Sequence, residues 1–176
     1  MSTASPNTGQ STRDLRRSAR GLLLDGRNRI LLLEYEDLAP VDPSRPDLLR
    51  YWLTPGGGLE GAETFDQALR RELTEELGIV DAVIGPRIAV RTISLILPDR
   101  GPILSEEHYF ACRIHHTELT HNGLSDGERR VFRDARWWTR ADLTGPEALV
   151  LRPPALPDLM DRALDLRDRE PVQLYE

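Results

Sequence analysis

Apolar and polar positions change period several times along the chain, and each change marks an element. Two leucine-rich runs, ARGLLLD and RILLLEYE, stand on either side of Gly26-Arg27-Asn28. Short apolar runs bracketed by turn residues predict a hairpin whose strands enter a core. Tyr51-Trp52-Leu53-Thr54 predicts another short strand, leading into Pro55-Gly56-Gly57-Gly58. From Thr64 to Leu77 the pattern becomes helical. Thr64 can serve as N-cap, Gln67 completes a capping box, and Gly78 is placed to end the helix. The β-branched stretch IVDAVIGPRIAVRTISLIL then predicts one or two strands, bent at Gly85-Pro86. A turn over 98–102 precedes a strand through EEHYFACRI and a polar loop from His115 to about Arg133. A further strand is expected at ARWWT and a short helix near Ala141-Asp142-Leu143. In LPDLMDRALDLRD, Leu156, Leu159, Met160, Ala163, Leu164 and Leu166 recur at mainly helical spacing. Strands outnumber helices and interleave with them. The expected class is therefore α/β, a mixed sheet covered by helices.

The helix at 64–77 carries an anomaly. On a wheel of roughly 100° per residue, Phe65, Ala68 and Leu69 lie within about 60° of Glu72. Glu75 and Glu76 fall within the same about 60° arc. Three carboxylates thus continue a face on which a soluble protein would bury leucine. Like charges one turn apart repel by roughly a few tenths of a kcal/mol even when exposed. In a partly buried cleft one of them would tend to take up a proton. A divalent cation removes the conflict, because carboxylate oxygens are what Mg²⁺ or Mn²⁺ accept as ligands. Gly56, Gly57 and Gly58 let the backbone come close, with a carbonyl toward a metal and N–H groups toward a phosphate. The run TEEL alone would be read as a solvated acidic face.

Composition narrows the picture further. Residues 1–14 are rich in Ser, Thr, Pro, Asn and Gly and read as a tail, leaving 15–176 as one domain. The formal net charge is −6 with basic residues spread along the chain, which argues against a dedicated DNA-binding surface. No apolar run reaches the roughly 20 residues of a membrane helix. The lone Cys112 cannot form an internal disulfide and reads as a packed strand residue, so a cytoplasmic protein is expected. The segment at 37–47, with three prolines, reads as a surface loop.

The glycine loop and helix together resemble the Nudix hydrolase family, whose signature is G-x5-E-x7-R-E-U-x-E-E-x-G-U, U being a bulky aliphatic residue. Gly57, Glu63, Arg71, Glu72, Leu73, Glu75, Glu76, Gly78 and Ile79 match every fixed position. The resemblance implies an α/β/α sandwich around a mixed sheet, with the signature as loop-helix-loop. It implies metal-dependent hydrolysis of a pyrophosphate in a nucleoside diphosphate linked to another moiety, with Mg²⁺ or Mn²⁺ as cofactor. By that similarity Glu72, Glu75 and Glu76 would ligate metal and Gly56 would offer its carbonyl. One motif glutamate, or one from a distant loop, would act as general base. Glu63 and Arg71 would form an ion pair holding loop to helix. The partner implied is a nucleotide or nucleotide conjugate, and a homodimer is left open. The competing reading is a non-catalytic nucleotide-sensing or interaction domain on the same fold, since fold does not fix function. Three mutually repelling carboxylates favour the enzyme.

Other candidates lie outside the signature. Glu128, in the loop from Ser125 to Arg130, is the candidate for an extra ligand or base, with a polar turn as the alternative. Arg91 is a candidate for reaching a substrate phosphate. Glu106 and Glu107 cannot both face a cleft, because strand residues alternate. His108 reads as a sheet residue. Trp52, Trp137 and Trp138 invite base stacking, but adjacent tryptophans on a strand point to opposite faces.

Overall fold

The leucine runs are continuous because their strands are covered on both faces. In β1 (Asp14–Leu24), Leu22 and Leu24 enter one core cluster while Ala19 and Leu23 enter another on the opposite side. β2 (Ile30–Glu36) divides in the same way, Ile30 and Leu32 against Leu31 and Leu33. The structure, a computed structural model, describes residues 14–98, 100–115, 118–120, 123–166 and 170–175, with Glu147 and Leu149 described by their backbone alone. The tail expected over 1–14 lies outside the described residues except for Asp14, which begins β1.

The remaining elements are β3 (Arg50–Leu53), α1 (Phe65–Leu77), β4 (Val83–Leu97), β5 (Gly101–Arg113), α2 (Asp126–Val131), β6 (Phe132–Trp138), β7 (Leu151–Arg152), α3 (Leu156–Leu164) and β8 (Val172–Leu174). The described strands form one mixed sheet in the order β7-β3-β2-β1-β5-β4-β8, with β6 on β2. α1 covers one face through Ala68, Leu69, Leu73 and Leu77. α3 covers the other through Leu156, Leu159, Met160 and Ala163. The chain is an α/β/α sandwich.

One irregularity of the sheet builds the site. β1 and β2 pair only at Leu24↔Ile30, and β2 then runs between β3 and β6. The edge of β1 left open by this divergence is taken by the glycine loop. Ala19 N–H donates to Gly57 O at 2.9 Å, Gly21 N–H to Pro55 O at 2.9 Å, and Leu59 N–H to Arg17 O at 3.0 Å.

Local expectations meet the structure with a few differences. Thr64 and Gln67 make the reciprocal capping box, and Gly78 closes α1 at φ 69°. β4 runs unbroken through Gly85-Pro86, but its register against β5 shifts between Ile84 and Ala89, so the bend is a bulge and not a break. The loop expected from His115 to Arg133 contains α2, whose Ser125 and Glu128 form a second capping box. Near Ala141 the expected helix is a 3₁₀ turn over Asp142–Thr144. β7 and β8 span two and three residues, too short to leave a period in the sequence.

Candidate functional site

The glycine loop meets α1 through one arginine. Arg71 grips Glu63 with Nε and Nη2 at 2.9 and 3.0 Å, and its Nη2 also donates to Gly58 O at 2.9 Å. Its Nη1 donates to Glu72 Oε1 at 3.0 Å and to Glu75 Oε2 at 3.2 Å. These hydrogen bonds, Glu63 first, hold Arg71 above the usual arginine range and Glu63 below the usual carboxylate range. A planar five-donor fork can do this and lysine cannot. Arg71 therefore joins the loop to the helix and fixes two of the helix carboxylates at once.

Glu76 is held from both ends. Gly56 N–H donates to its Oε2 at 2.9 Å, and the Tyr35 hydroxyl donates to its Oε1 at 3.0 Å. The Gly56 carbonyl accepts from Arg20 Nη1. Burial pushes the Glu76 carboxyl up to about 7, with the Gly56 N–H pulling against it and the neighbouring Glu72 charge adding to the rise. Burial also raises Glu72, against the pull of Arg71. From α2, Glu128 completes the set: one carboxylate oxygen each from Glu72, Glu76 and Glu128 lies within 4.8 Å of the others. Glu128 is oriented by its own cap, its Oε2 accepting from Ser125 N–H at 2.8 Å and from the Ser125 hydroxyl at 2.7 Å.

Three converging carboxylates, two of them buried, make a donor set for a hard cation. Glu75 stands apart from this cluster. Its side chain is 51 % exposed, and it shares Arg71 Nη1 with Glu72 at the rim. The cleft in front of the carboxylates has a volume of about 570 Å³, with Arg16, Arg20 and Tyr35 on its walls.

A cation can bind this set only after Glu76 has lost its proton. Mn²⁺ affinity is therefore expected to rise about tenfold per pH unit up to about pH 7 and then to level off. Calorimetric titrations at pH 6, 7 and 8 in buffers of different ionisation enthalpy should show one proton released per ion at pH 6. A pH-independent affinity would contradict the placement of Glu76 in the set.

The other candidates fall into place around this cleft. Arg91 is buried, with Nη1 3.2 Å from Glu107 Oε2. It lines a second, smaller cavity behind the first. Glu107 faces inward, where it accepts from the Tyr109 hydroxyl at 2.7 Å. Burial alone would raise it, but Arg20, Arg91 and Tyr109 hold it below the usual carboxylate range. Glu106 faces the other way, toward Arg17 and His108. His108 stacks on Phe65 with ring centroids 3.8 Å apart and sits between Arg87 and Glu106, a packing role. Trp138 packs edge-to-face on Trp52 in one core cluster, while Trp137 lies against the other. None of the three tryptophans lines the carboxylate cleft. Burial pushes the Cys112 thiol up to about 12, so it is no nucleophile.

Tyr35 and Arg20 had no signal in the sequence. Each stands in a leucine-rich strand, and only the divergence of β1 from β2 brings both against the loop.

A family profile described as the NUDIX domain matches residues 14–159. A curated relative, the 8-oxo-dGTP diphosphatase of Proteus vulgaris, is 38 % identical over 87 residues, covering 49 % of this chain and 69 % of that protein. A crystal structure of a MutT protein from Methanosarcina mazei superposes with a TM-score of 0.60 at 16 % identity, covering 90 % of this chain and 99 % of its own. An ADP-ribose pyrophosphatase from Streptococcus suis does so with a TM-score of 0.55 at 16 % identity, covering 90 % and 97 %. At such identities the structural likeness bears on the fold alone.

Proposed function

The chain belongs to the Nudix family of hydrolases, and from that premise we propose that it cleaves the pyrophosphate of a nucleoside diphosphate linked to another moiety, assisted by Mg²⁺ or Mn²⁺. The observation that carries this reading is the convergence of Glu72, Glu76 and Glu128 on one point. Buried carboxylates so close together are costly unless a cation joins them. Glu72, Glu76 and Glu128 would hold the ion. Glu75 stands at the rim to complete the ligand set or to act as base, and the Gly56 carbonyl would join only by releasing Arg20. When bound, such an ion polarises phosphoryl oxygens and makes water more acidic.

The chain's own groups supply the rest. A carboxylate within hydrogen-bond reach takes the proton of the attacking water, and Glu75 and Glu128 are the two placed at the open side. Arg16, on the cleft wall, faces the charge that builds on the phosphoryl oxygens. Arg71 keeps Glu72 and Glu75 in place as that charge develops. The names of the relatives suggest two substrate classes, nucleoside triphosphates (oxidised ones included) and ADP-ribose-type conjugates. The free, buried Cys112 suits a reducing cytoplasm.

The test is phosphate release, with coupling phosphatase and inorganic pyrophosphatase, across a panel of both classes with Mg²⁺ or Mn²⁺. Selective turnover that requires the added ion and falls at least about a hundredfold in Glu75→Gln is expected. A folded, metal-binding protein with no turnover on any compound would instead favour a nucleotide-sensing domain.

A further inference from the structure

Behind the carboxylate cleft lies a smaller cavity of about 130 Å³. It shares Arg16, Arg20, Tyr51 and Leu53 with the outer cleft, so a molecule lying in one can extend into the other. Its polar wall is unusual. Arg16, Arg20, Arg91 and Arg152 all line it, against one lining acid, Glu107. Glu107 is already engaged by Arg20 at 3.4 Å, Arg91 at 3.2 Å and the Tyr109 hydroxyl. The buried Asp42 lies 3.8 Å from Arg152, and Asp37, which accepts from the Tyr51 hydroxyl, also acts on that arginine. Four guanidinium groups thus line the cavity with a single lining carboxylate, while Glu72 and Glu76 act on Arg16 and Arg20, respectively, from the outer cleft.

Buried polar atoms on this wall stand without a hydrogen-bond partner, although the Arg152 guanidinium itself also donates to Leu48 O and lies over the Tyr51 ring. Thr54 is 1 % exposed and Arg152 8 %, yet Thr54 Oγ1 and Arg152 Nε have no hydrogen-bond partner among the described residues. Buried polar groups are normally satisfied, and each exception calls for a cause. Val41, Ile93, Leu95 and Leu97 also line it, and such apolar side chains lower the local dielectric and strengthen any charge interaction inside.

We propose that this cavity is a substrate subsite for a tetrahedral oxyanion, a phosphate or sulfate group carried by the substrate away from the pyrophosphate that faces the carboxylates. Excess positive charge selects an anion, and guanidinium forks match tetrahedral oxygens bidentately. Size excludes a nucleobase. A cavity of about 150 Å³ holds a benzene ring, so a phosphoryl group fits the space and a purine does not. The inference deepens the pyrophosphohydrolase reading. It narrows the substrate class to nucleotide conjugates bearing a further anionic ester.

Inorganic phosphate is the first probe, titrated calorimetrically into metal-free protein so that hydrolysis plays no part. Wild type and Glu72→Gln should bind one phosphate alike. Thr54→Val should bind it at least about tenfold more weakly, the effect of one lost hydrogen bond to a charged group. Valine replaces an unpartnered hydroxyl with a methyl, so the variant should unfold at the same temperature as wild type or above it. Arg152→Gln should weaken phosphate further. No saturable binding to wild type at millimolar phosphate, equal binding by Thr54→Val, or binding lost in Glu72→Gln would overturn the subsite, whatever the hydrolysis assay reports. With the best substrate of the panel, Thr54→Val should raise KM and leave kcat. Unchanged KM with weakened phosphate binding would overturn the substrate-group assignment in favour of free phosphate as the ligand.

Discussion

Glu76→Gln is expected to lower turnover by about 10³-fold or more while leaving the metal-free protein at pH 8 at least as stable as wild type. The loss follows from position. Glu76 supplies one of three converging oxygens, and a bound ion stabilises the charge of such a transition state by several kcal/mol, about tenfold in rate for each 1.4 kcal/mol. Stability should move the other way. A folded-state carboxyl raised to about 7 stabilises the fold fully below its unfolded value of about 4.3 and loses that contribution as pH rises through 7. The buried charge then costs the metal-free fold about 4 kcal/mol at pH 8. Glutamine removes the charge while its amide oxygen can still accept from Gly56 or Tyr35. Thermal unfolding in chelator at pH 5 and pH 8 checks this, alongside turnover with saturating Mn²⁺. Wild type should lose stability between the two pH values through this group and the variant should not. Near-normal turnover in the variant would exclude Glu76 from the working site.

Such an opposition of stability and activity would mark a site in which charge is held ready for a ligand. It also explains the helix pattern. A helix of this length could bury leucine at 72 and 76, and the fold would gain from it. Instead the loop from Pro55 to Leu59, hydrogen-bonded to β1, closes over those positions and delivers an N–H to one carboxylate. The acidic stripe and the divergence of β1 from β2 are two parts of one device, because the open edge of β1 is what receives the loop.

Much of this was legible in the residues themselves, for a physical reason. Caps, helical period and glycine turns are encoded within a few positions, so Thr64, Gln67 and Gly78 announce α1 and its ends. The chain positions of Glu72, Glu75 and Glu76 were equally plain, but their environments were not. A wheel places Glu75 and Glu76 at similar angles from Glu72, yet Glu76 is buried and Glu75 is half in solvent. Which edge of the stripe is covered depends on where the loop lies, and that depends on strand pairing far away in sequence. Glu128 illustrates the same limit. Ser125 and Glu128 stand at capping-box spacing, a signal present in the sequence, but the helix they start has no buried residues and hence no apolar period. Its approach to Glu72 and Glu76 is a property of the fold. The partners Tyr35 and Arg20, hidden in leucine-rich strands, could be assigned only from coordinates.

Gly56→Ala and Gly57→Ala, adjacent and chemically identical changes, should fail in different ways. At Gly56 the backbone has φ 120°, and an added Cβ would lie 2.2 Å from the Ala19 carbonyl oxygen. Neither the left-handed backbone nor a main-chain carbonyl held within β1 can yield cheaply. The loop must lift from β1, taking with it the Gly56 N–H that binds Glu76, and the fold should lose about 3 kcal/mol or more together with activity. At Gly57 the added Cβ would instead lie 2.3 Å from Glu72 Oε1, the far end of a flexible side chain. That carboxylate can swing aside at small cost to the fold, but it then leaves Glu76 and Glu128 and strains its bond from Arg71. Gly57→Ala should therefore unfold within a few degrees of wild type, yet bind Mn²⁺ at least about tenfold more weakly and turn over at least about a hundredfold more slowly. Thermal unfolding, Mn²⁺ titration and turnover on both variants separate the two cases. If Gly57→Ala kept wild-type metal affinity, Glu72 would not be needed where the structure places it. The loop glycines would then serve the fold alone.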